Sequence, residues 1–310
     1  MTSLSQMILT RFQTRMTTLQ KEDFHIFLFD ELEKKNITAR IEDDGKFYPS
    51  KNIIIGDLES SQVIFTAHYD TASILPVPNL LFPKNILANL LYAIFLGIIL
   101  SIFLVLFRSF FGLFIDTPII RHRLSYISFA ILLFLGYLRK PNHHTANDNT
   151  SGVITALEIL ERIDLEESKA CIVLFDLEES GLFGSRRFKK KRKRILEDKL
   201  IVNFDCVSDG DHLLLIQSRS AREEYSSALQ AAFADIVDKE TLFTKSSTTL
   251  FPSDHIYFKK HIGVMACHRL KIIGYYLSRI HTRRDTVFDE RNISVLADGF
   301  AAFAKSISAQ

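Results

Sequence analysis

The feature that most constrains this chain is a stretch without charge. Residues 86–107, "ILANLLYAIFLGIILSIFLVLF", contain no Asp, Glu, Lys or Arg. As a helix rising 1.5 Å per residue, the stretch is about 33 Å long, enough for a bilayer hydrocarbon core of about 30 Å. A second apolar run, residues 124–138, reaches only about 22 Å as a helix, so it crosses with help from flanking residues or a thinned bilayer. Between them "RSFFGLFIDTPIIRHR" mixes aromatic residues and arginines, as membrane interfaces do. The rival reading is a hydrophobic lid or dimerisation arm buried in protein.

The apolar runs interrupt a chain of a different kind. Before them, "TARIEDD", "NIIIGD" and "QVIFTAHYD" read as short extended segments. After them, "NTSGVITALEILERI" has helical spacing, and "ACIVLFDLEES" is a continuous apolar run ending in carboxylates, as a buried parallel strand is. "SRRFKKKRKRILEDK" reads as a charged helix, and "LIVNFDCVSDGD" and "HLLLIQS" as strands. "AREEYSSALQAAFADIVDKE" and "DERNISVLADGFAAFAKSIS" read as amphipathic helices. Alternation of this kind predicts an α/β fold, a mostly parallel mixed sheet sandwiched by helices, carrying an inserted two-helix hydrophobic hairpin. The expected division is residues 1–78 and 141–310 for one α/β domain and 79–140 for the insertion. "MTSLSQMILTRFQTRMTTLQKEDF" lacks a long apolar core, because Arg11, Arg15 and Lys21 break it. It reads as an amphipathic helix to about Lys35 rather than a secretory signal, with a mitochondrial-type presequence disfavoured by Glu22 and Asp23.

The formal charge of +2 gives no global field toward nucleic acid. The run 186–194, "RRFKKKRKR", is the local exception, readable as a nucleic-acid patch, an anionic-lipid patch or a solvated helix face. The three cysteines, Cys171, Cys206 and Cys267, have no CxxC spacing and read as buried free thiols of a reducing compartment.

Ligands of such α/β folds bind beyond the carboxyl ends of the strands. His68 and Asp70 end one strand here, Glu178 and Glu179 another, Asp205 a third. One acidic residue after a strand is ordinarily a helix cap; three strands ending in metal-competent groups form a pattern. Five places then matter: "AHYDT", "TANDNTSG", "FDLEESG", "NFDCVSDGD" and "RIHTRRDT". Neutral imidazoles and carboxylates bind zinc, and paired metals need a bridging carboxylate with further ligands on each side.

In these five motifs and their order the chain resembles the co-catalytic di-zinc aminopeptidases of metallopeptidase clan MH, a family that includes glutaminyl cyclases. The resemblance covers about residues 50–78 and 141–308. It implies His68 on one zinc with the Asp70 carboxylate behind its ring, Asp148 bridging both metals before a cis peptide, and Glu178 as general base. It also implies Glu179 on the second zinc, Asp205 completing the first zinc and His281 the second. Asp254 and His255, in "PSDHIYF", resemble a segment lining the family's substrate pocket; N-capping by Ser253 or Asp254 is the other reading. His143, His144, His261 and His268 are not expected as ligands. Tyr275 and Tyr276 are oxyanion-donor candidates by nearness in sequence alone. A bacterial subgroup of the family carries similar insertions. The expected protein is thus a membrane-tethered aminopeptidase with two Zn2+ per chain, acting on peptides. A glutaminyl-cyclase-like single-zinc enzyme and a non-catalytic scaffold are the alternatives. His68 precedes the insertion and Asp148 follows it, so the chain must return to the side it left. That parity predicts two crossings, with bilayer contacts through 86–107 and 124–138; about 85 residues without a secretory signal before the first crossing, and the free cysteines, make a cytoplasmic catalytic domain the expectation.

Overall fold

The computed structural model describes residues 1–309 except 46–47, 76, 138–139 and 237–238. Leu138 and Arg139, which close the second apolar run, therefore lie outside the described residues. Nine strands form one sheet: β1 (Ala39–Asp44), β2 (Ser50–Ile55), β3 (Val63–His68), β4 (Ala170–Phe175), β5 (Leu200–Phe204), β6 (His212–Gln217), β7 (Glu240–Lys245), β8 (His261–Leu270) and β9 (Gly274–Tyr276). Their order is β1-β2-β4-β3-β5-β8-β6-β7, with β9 on the end of β8. The central strands β4, β3, β5 and β8 are parallel, whereas β1–β2, β2–β4, β6–β8 and β8–β9 pair antiparallel. The sheet is mixed: its central strands, which feed the site, are parallel, and β6 and β7 form a second parallel pair at one edge.

The central strands are buried on both faces, which their unbroken Val, Ile, Leu and Phe runs require. Along β3, Val63, Phe65 and Ala67 face one core, built with α1 (Ser3–Arg11), α2 (Thr18–Glu33), α5 (Gly152–Leu160), α7 (Arg219–Ala232) and α8 (Glu290–Ser308). Ile64 faces the other core, with Phe188 of α6 (Phe183–Lys191) and Phe258. Side chains alternate across a strand, so His68 emerges on the side of Ile64 and Thr66. In register, His68 lies opposite Phe175 of β4. That pairing sets Glu178 and Glu179, just past β4, beside the end of β3.

The N-terminal region is two helices rather than one. Residues 12–17 break it, and Thr17 and Gln20 close a reciprocal capping box at the start of α2. The break turns Arg15 inward, where it is fully buried. The charged run on α6 is partly consumed within the chain. Lys191 pairs with Asp44 at 3.0 Å, Arg192 with Glu42, and Arg187 donates to the Asp44 carbonyl at 3.0 Å. All three cysteines are buried and free.

Helices α3 (Ile86–Gly112) and α4 (Pro118–Tyr137) leave this body and return, packed on each other. The connecting turn is 113–117, shorter than the 108–123 segment expected from sequence, so Arg108, Arg121 and Arg123 sit on helices. No proline interrupts Ser109–Gly112, so α3 runs on past Arg108, and Pro118 starts α4 at the position where its missing N–H costs nothing. No α3 residue is buried. Among the described residues, α3 alone is long and apolar enough to cross a membrane. Residues 79–85 belong with the α/β body: Leu81 exchanges backbone bonds with Leu277 at 3.1 and 2.9 Å.

Candidate metal centre

Four carboxylates and two imidazoles converge beyond β3, β4 and β5. His68 is 1 % exposed. Its Nδ1 lies 3.0 Å from the Asp70 backbone carbonyl. A carbonyl only accepts, so Nδ1 carries the proton and Nε2 is left to offer its lone pair. Nε2 faces Asp148 Oδ1 at 3.4 Å, Asp205 Oδ1 at 3.6 Å and Glu178 Oε2 at 4.0 Å. On the other side, His281 Nε2 lies 2.9 Å from Asp148 Oδ2 and 3.4 Å from Glu179 Oε2. Asp148 thus turns one oxygen to each imidazole.

The backbone around the centre is fixed by bonds distant in sequence. The Asp148–Asn149 peptide is cis, as the resemblance implied. Asp70 does more than back its histidine: its Oδ1 stands 3.7 Å from His68 Nδ1, while the carboxylate accepts the N–H groups of Glu178 at 3.0 Å and Glu179 at 3.2 Å. The carboxylate expected behind the ring stands there and also positions the glutamate pair. Asn149 Oδ1 accepts from Gly152 at 3.0 Å and Cys206 at 3.3 Å, and Asn147 Oδ1 from Ser208 and Asp209 at 2.8 and 3.0 Å. These bonds stitch the Asp148 turn to the loop after Asp205. A Cβ on Gly152 would meet the Phe204 carbonyl at 2.4 Å, so that approach requires glycine. Leu177, Cys206 and His281, each at the site, hold positive φ without being glycine, a conformation that functional loops retain when their surroundings fix it.

Two residues escaped the sequence reading. Asp285 is buried and accepts the N–H groups of Asn147 at 2.7 Å and Asp148 at 3.0 Å. It stands in the quoted "RIHTRRDT", four residues after His281, where its acidity was the available signal. Arg15 Nε donates to the Tyr69 carbonyl at 2.5 Å and its guanidinium reaches Thr150 Oγ1 at 3.2 Å. It braces the His68 and Asp148 loops from behind, and nothing in its helical spacing signalled that.

Electrostatics make the centre a cation site. Burial opposes a charge on His281, but Glu179 and Asp148 outweigh it and push the imidazole up to about 10. Burial likewise opposes a charge on His68, and Glu178, Asp148 and Asp205 overcome it. Burial raises Glu179 to about 8, against the pull of His281. It also raises Glu178 well above the carboxylate range, against His68 and with Glu179, Asp205 and Asp254 adding. Without metal, protons supply the positive charge that these carboxylates demand. Three donor groups can each hold an ion: His68–Asp148–Asp205, His68–Glu178–Glu179 and Asp148–Glu179–His281, with ligand atoms within 4.8 Å of one another. Glu179 Oε1 is buried without a hydrogen-bond partner in the structure. An orphaned carboxylate oxygen beside imidazole nitrogens fits zinc, whose ligands are of these types.

The remaining expected residues fall around this centre. Asp254 is fully buried, neither carboxylate oxygen finds a hydrogen bond among the described residues, and burial raises it to about 7 against the opposing effect of His68. His255 stacks on Phe251 at 5.6 Å, and burial with His261 lowers it to about 3. The N-cap alternative fails, because the 3-10 turn Asp254–Tyr257 receives no side-chain cap. His143 and His144 are exposed; His261 bonds Ser246 at 3.0 Å and His268 bonds Asp209 at 2.8 Å, outside all three donor groups. The Tyr275 ring meets His212 and the Tyr276 ring meets His268.

A mixed sheet with His, Asp and Glu gathered beyond its parallel strands defines a zinc-peptidase-like α/β protein. The chain belongs to peptidase family M28, whose model matches residues 133–304. Among solved structures it is similar to a glutaminyl cyclase of Porphyromonas gingivalis, at 14 % identity over 98 % of this chain and 97 % of that one, with TM-score 0.60. It is also similar to LapB from Legionella pneumophila, at 13 % identity over 99 % and 71 %, with TM-score 0.55. A zinc aminopeptidase from Bacillus subtilis aligns at 16 % identity over 84 % and 51 %, with TM-score 0.51. At these identities the likeness is one of fold. No curated protein sequence matches the chain.

Proposed function

We propose that the chain is a membrane-tethered aminopeptidase that holds two zinc ions and removes N-terminal residues from peptides. The observation that carries the reading is Asp148, with one oxygen toward His68, whose Nε2 also faces Asp205, and the other toward His281, whose Nε2 also faces Glu179. In this reading His68 and Asp205 hold one ion, Glu179 and His281 the other, and Asp148 both. Zinc there supplies acidification of a water and polarisation of a scissile carbonyl. Glu178 accepts the water's proton and delivers it to the leaving amine. Its raised proton affinity suits that task, and in this reading Glu178 would serve as base and not as a ligand. Asp70 aims Glu178 and Glu179 through their backbone N–H groups. Asp254, buried beside the cluster, lines the pocket with His255.

The hairpin supplies the tether: α3 and α4 cross the bilayer and return, leaving the catalytic body on the cytoplasmic side. The partners are peptides and lipid, not nucleic acid, consistent with the ion pairs that occupy part of the α6 cations.

A second reading has its own support. Asp148, Glu179 and His281 alone suit a single zinc with an open position, which would serve glutaminyl-cyclase-like acyl transfer. Metal analysis of detergent-purified protein, run beside assays of aminoacyl-amide hydrolysis and glutaminyl-peptide cyclisation, separates the two. The expected result is two zinc ions per chain and released N-terminal residues. One zinc with cyclised product would replace the aminopeptidase by the cyclase, and metal without either activity would leave a scaffold.

A further inference from the structure

The foot of α3 is ringed by apolar side chains that no other part of the chain covers. Ile272 is 95 % exposed, Leu270 46 % and Leu250 43 %, beside Ile86, the first residue of α3, at 74 %. Isolated exposed leucines are ordinary; these four come from three segments bonded together. The Leu250 N–H donates to the Pro83 carbonyl at 2.8 Å. Asn85 Nδ2 donates to the Ile273 carbonyl at 3.0 Å, while its Oδ1 caps α3 by accepting from Ala88 at 3.0 Å. One side chain therefore fixes the turn between β8 and β9 at the level where α3 begins.

Cations and aromatic rings accompany these apolar tips. Lys84, Arg269 and Lys271 are exposed. Lys84 Nζ lies 3.4 Å from the hydroxyls of Thr248 and Thr249, and the Arg269 guanidinium rests over the Tyr275 ring at 5.4 Å. Among the described residues neither Lys84 nor Arg269 forms an ion pair with a carboxylate. Apolar tips flanked by lysine, arginine and tyrosine, level with the start of an apolar helix, match the chemistry of the headgroup–acyl boundary. Uncompensated cations there favour anionic lipid.

We propose that Leu250, Leu270 and Ile272 form a collar that inserts into the surface of an anionic bilayer, docking the catalytic body on the membrane. The proposal rests on α3 spanning that bilayer. The collar has a consequence for the centre. Leu81 exchanges backbone bonds with Leu277 at 3.1 and 2.9 Å, which ties the segment leading into α3 to the chain four residues before His281. Docking the collar therefore holds the His281 side of the centre close to the lipid surface.

The test uses full-length protein reconstituted in vesicles of phosphatidylcholine mixed with phosphatidylglycerol. Ile272→Cys carries an environment-sensitive fluorophore, which the buried native cysteines leave to the new thiol. Ile98→Cys, midway along α3 and 54 % exposed, reports on spanning, and Glu167→Cys, exposed before β4 at the opposite end of the sheet, serves as the distant control. The Ile272→Cys label should shift to the blue and lose intensity to nitroxide lipids labelled near the headgroup. The Ile98→Cys label should be quenched by deep nitroxides and the Glu167→Cys label by neither. Vesicles of phosphatidylcholine alone should weaken quenching at position 272, and undiminished quenching there would overturn the anionic preference. Deep quenching at 98 with none at 272 would overturn the collar and leave the spanning helix. A blue shift at 272 without lipid quenching would assign the collar to a second copy of the chain. Absence of quenching at both positions would remove the spanning reading and the collar with it.

Discussion

The loop after β3 and the helix α3 are close neighbours in sequence and opposites in physics. Around His68 and Asp70 the backbone is held by bonds to partners far along the chain: Glu178 and Glu179 to Asp70, Asn147 and Asp148 to Asp285, Tyr69 to Arg15. In α3 no residue is buried, and the backbone satisfies itself within the helix. The first region is specified by geometry, since removing one member leaves others unpaired. The second is specified by composition, since many apolar substitutions keep it apolar. The two should therefore fail independently, and experiments can press on that separation.

The largest effects belong to the centre. Asp148→Ala removes the carboxylate shared by both imidazoles and should abolish bound metal and activity together, read by metal analysis and peptide hydrolysis. Glu178→Gln should keep the metal and lower turnover by about 10²–10⁴-fold, the usual contribution of a proton-transferring group. Near-normal turnover in Glu178→Gln would move the base elsewhere. Metal loss in that variant would make Glu178 a ligand.

Excising the hairpin tests the separation itself. The cut must begin after Asn85, because Leu81 and Pro83 bond the body. Replacing residues 86–137 by a short flexible linker should yield a protein that leaves the membrane fraction yet binds metal as the full chain does. Chelation should lower its Tm, since an ion that binds only the folded state stabilises it by mass action. The full-length chain should resist extraction by alkaline carbonate, because burial of apolar helices is not screened by ions. Metal loss on excision would show that the two regions are coupled after all.

How far sequence reading reached follows the same division. The hairpin was legible because composition alone defines it; its turn was misplaced, since arginines that end an apolar run do not end a helix, and its start was set too early, since Leu81 and Pro83 bond the α/β body. His68, Asp148, Glu178, Glu179, Asp205 and His281 were legible because strand ends and motif order mark them, and the structure brings all six together. The bonds that hold them were not. Asp70 was expected to act through its ring contact, yet its carboxylate serves two backbone N–H groups that only strand register brings near. Arg15 looked like a polar position of one long helix. The Thr17–Gln20 capping box was the overlooked sign that a helix starts there. The strand β8 was missed although "HIGVMAC" is an apolar run, because its His261, Cys267 and His268 were weighed as separate side chains. Its antiparallel partner β6 then makes the sheet more mixed than alternation of strands and helices suggested.

Asp285 gives an intermediate test, because it touches the Asp148 turn without belonging to the donor groups. Burial raises it to about 8, with Asp148 adding and the two backbone N–H groups opposing. Asp285→Ala orphans both of those N–H groups, at a cost of about 1–3 kcal/mol for a buried unsatisfied group. Zinc affinity should fall by about 10–100-fold, the usual effect of removing a group that orients a ligand. The readouts are Tm and a competitive zinc titration. A fall in Tm with unchanged zinc affinity would restrict Asp285 to stability, and the turn would then hold its shape without it.

The smallest effect lies farthest from both regions. Glu158 of α5 anchors the start of α1: its Oε1 accepts from the Thr2 N–H at 2.7 Å and the Ser5 hydroxyl at 2.6 Å, and its Oε2 from Arg162 at 2.7 Å. Burial works to raise this carboxyl, but Ser5, Arg162 and Thr2 outweigh it and bring it down to about 2. A carboxyl depressed in the folded state stabilises it above the unfolded value, near 4.5, and that stabilisation is lost as pH falls toward 2. Acid should therefore loosen α1 before it disturbs the sheet. Glu158→Gln should lower Tm modestly at neutral pH and flatten the acid limb of the Tm–pH curve between about 4.5 and 2. Hydrogen exchange in α1 should rise over the same window in the native chain and show no such pH step in the variant. An equal acid limb in both proteins would mean that the charge on Glu158 contributes nothing, and that α1 is held by Leu4 and Ile8 in the core alone.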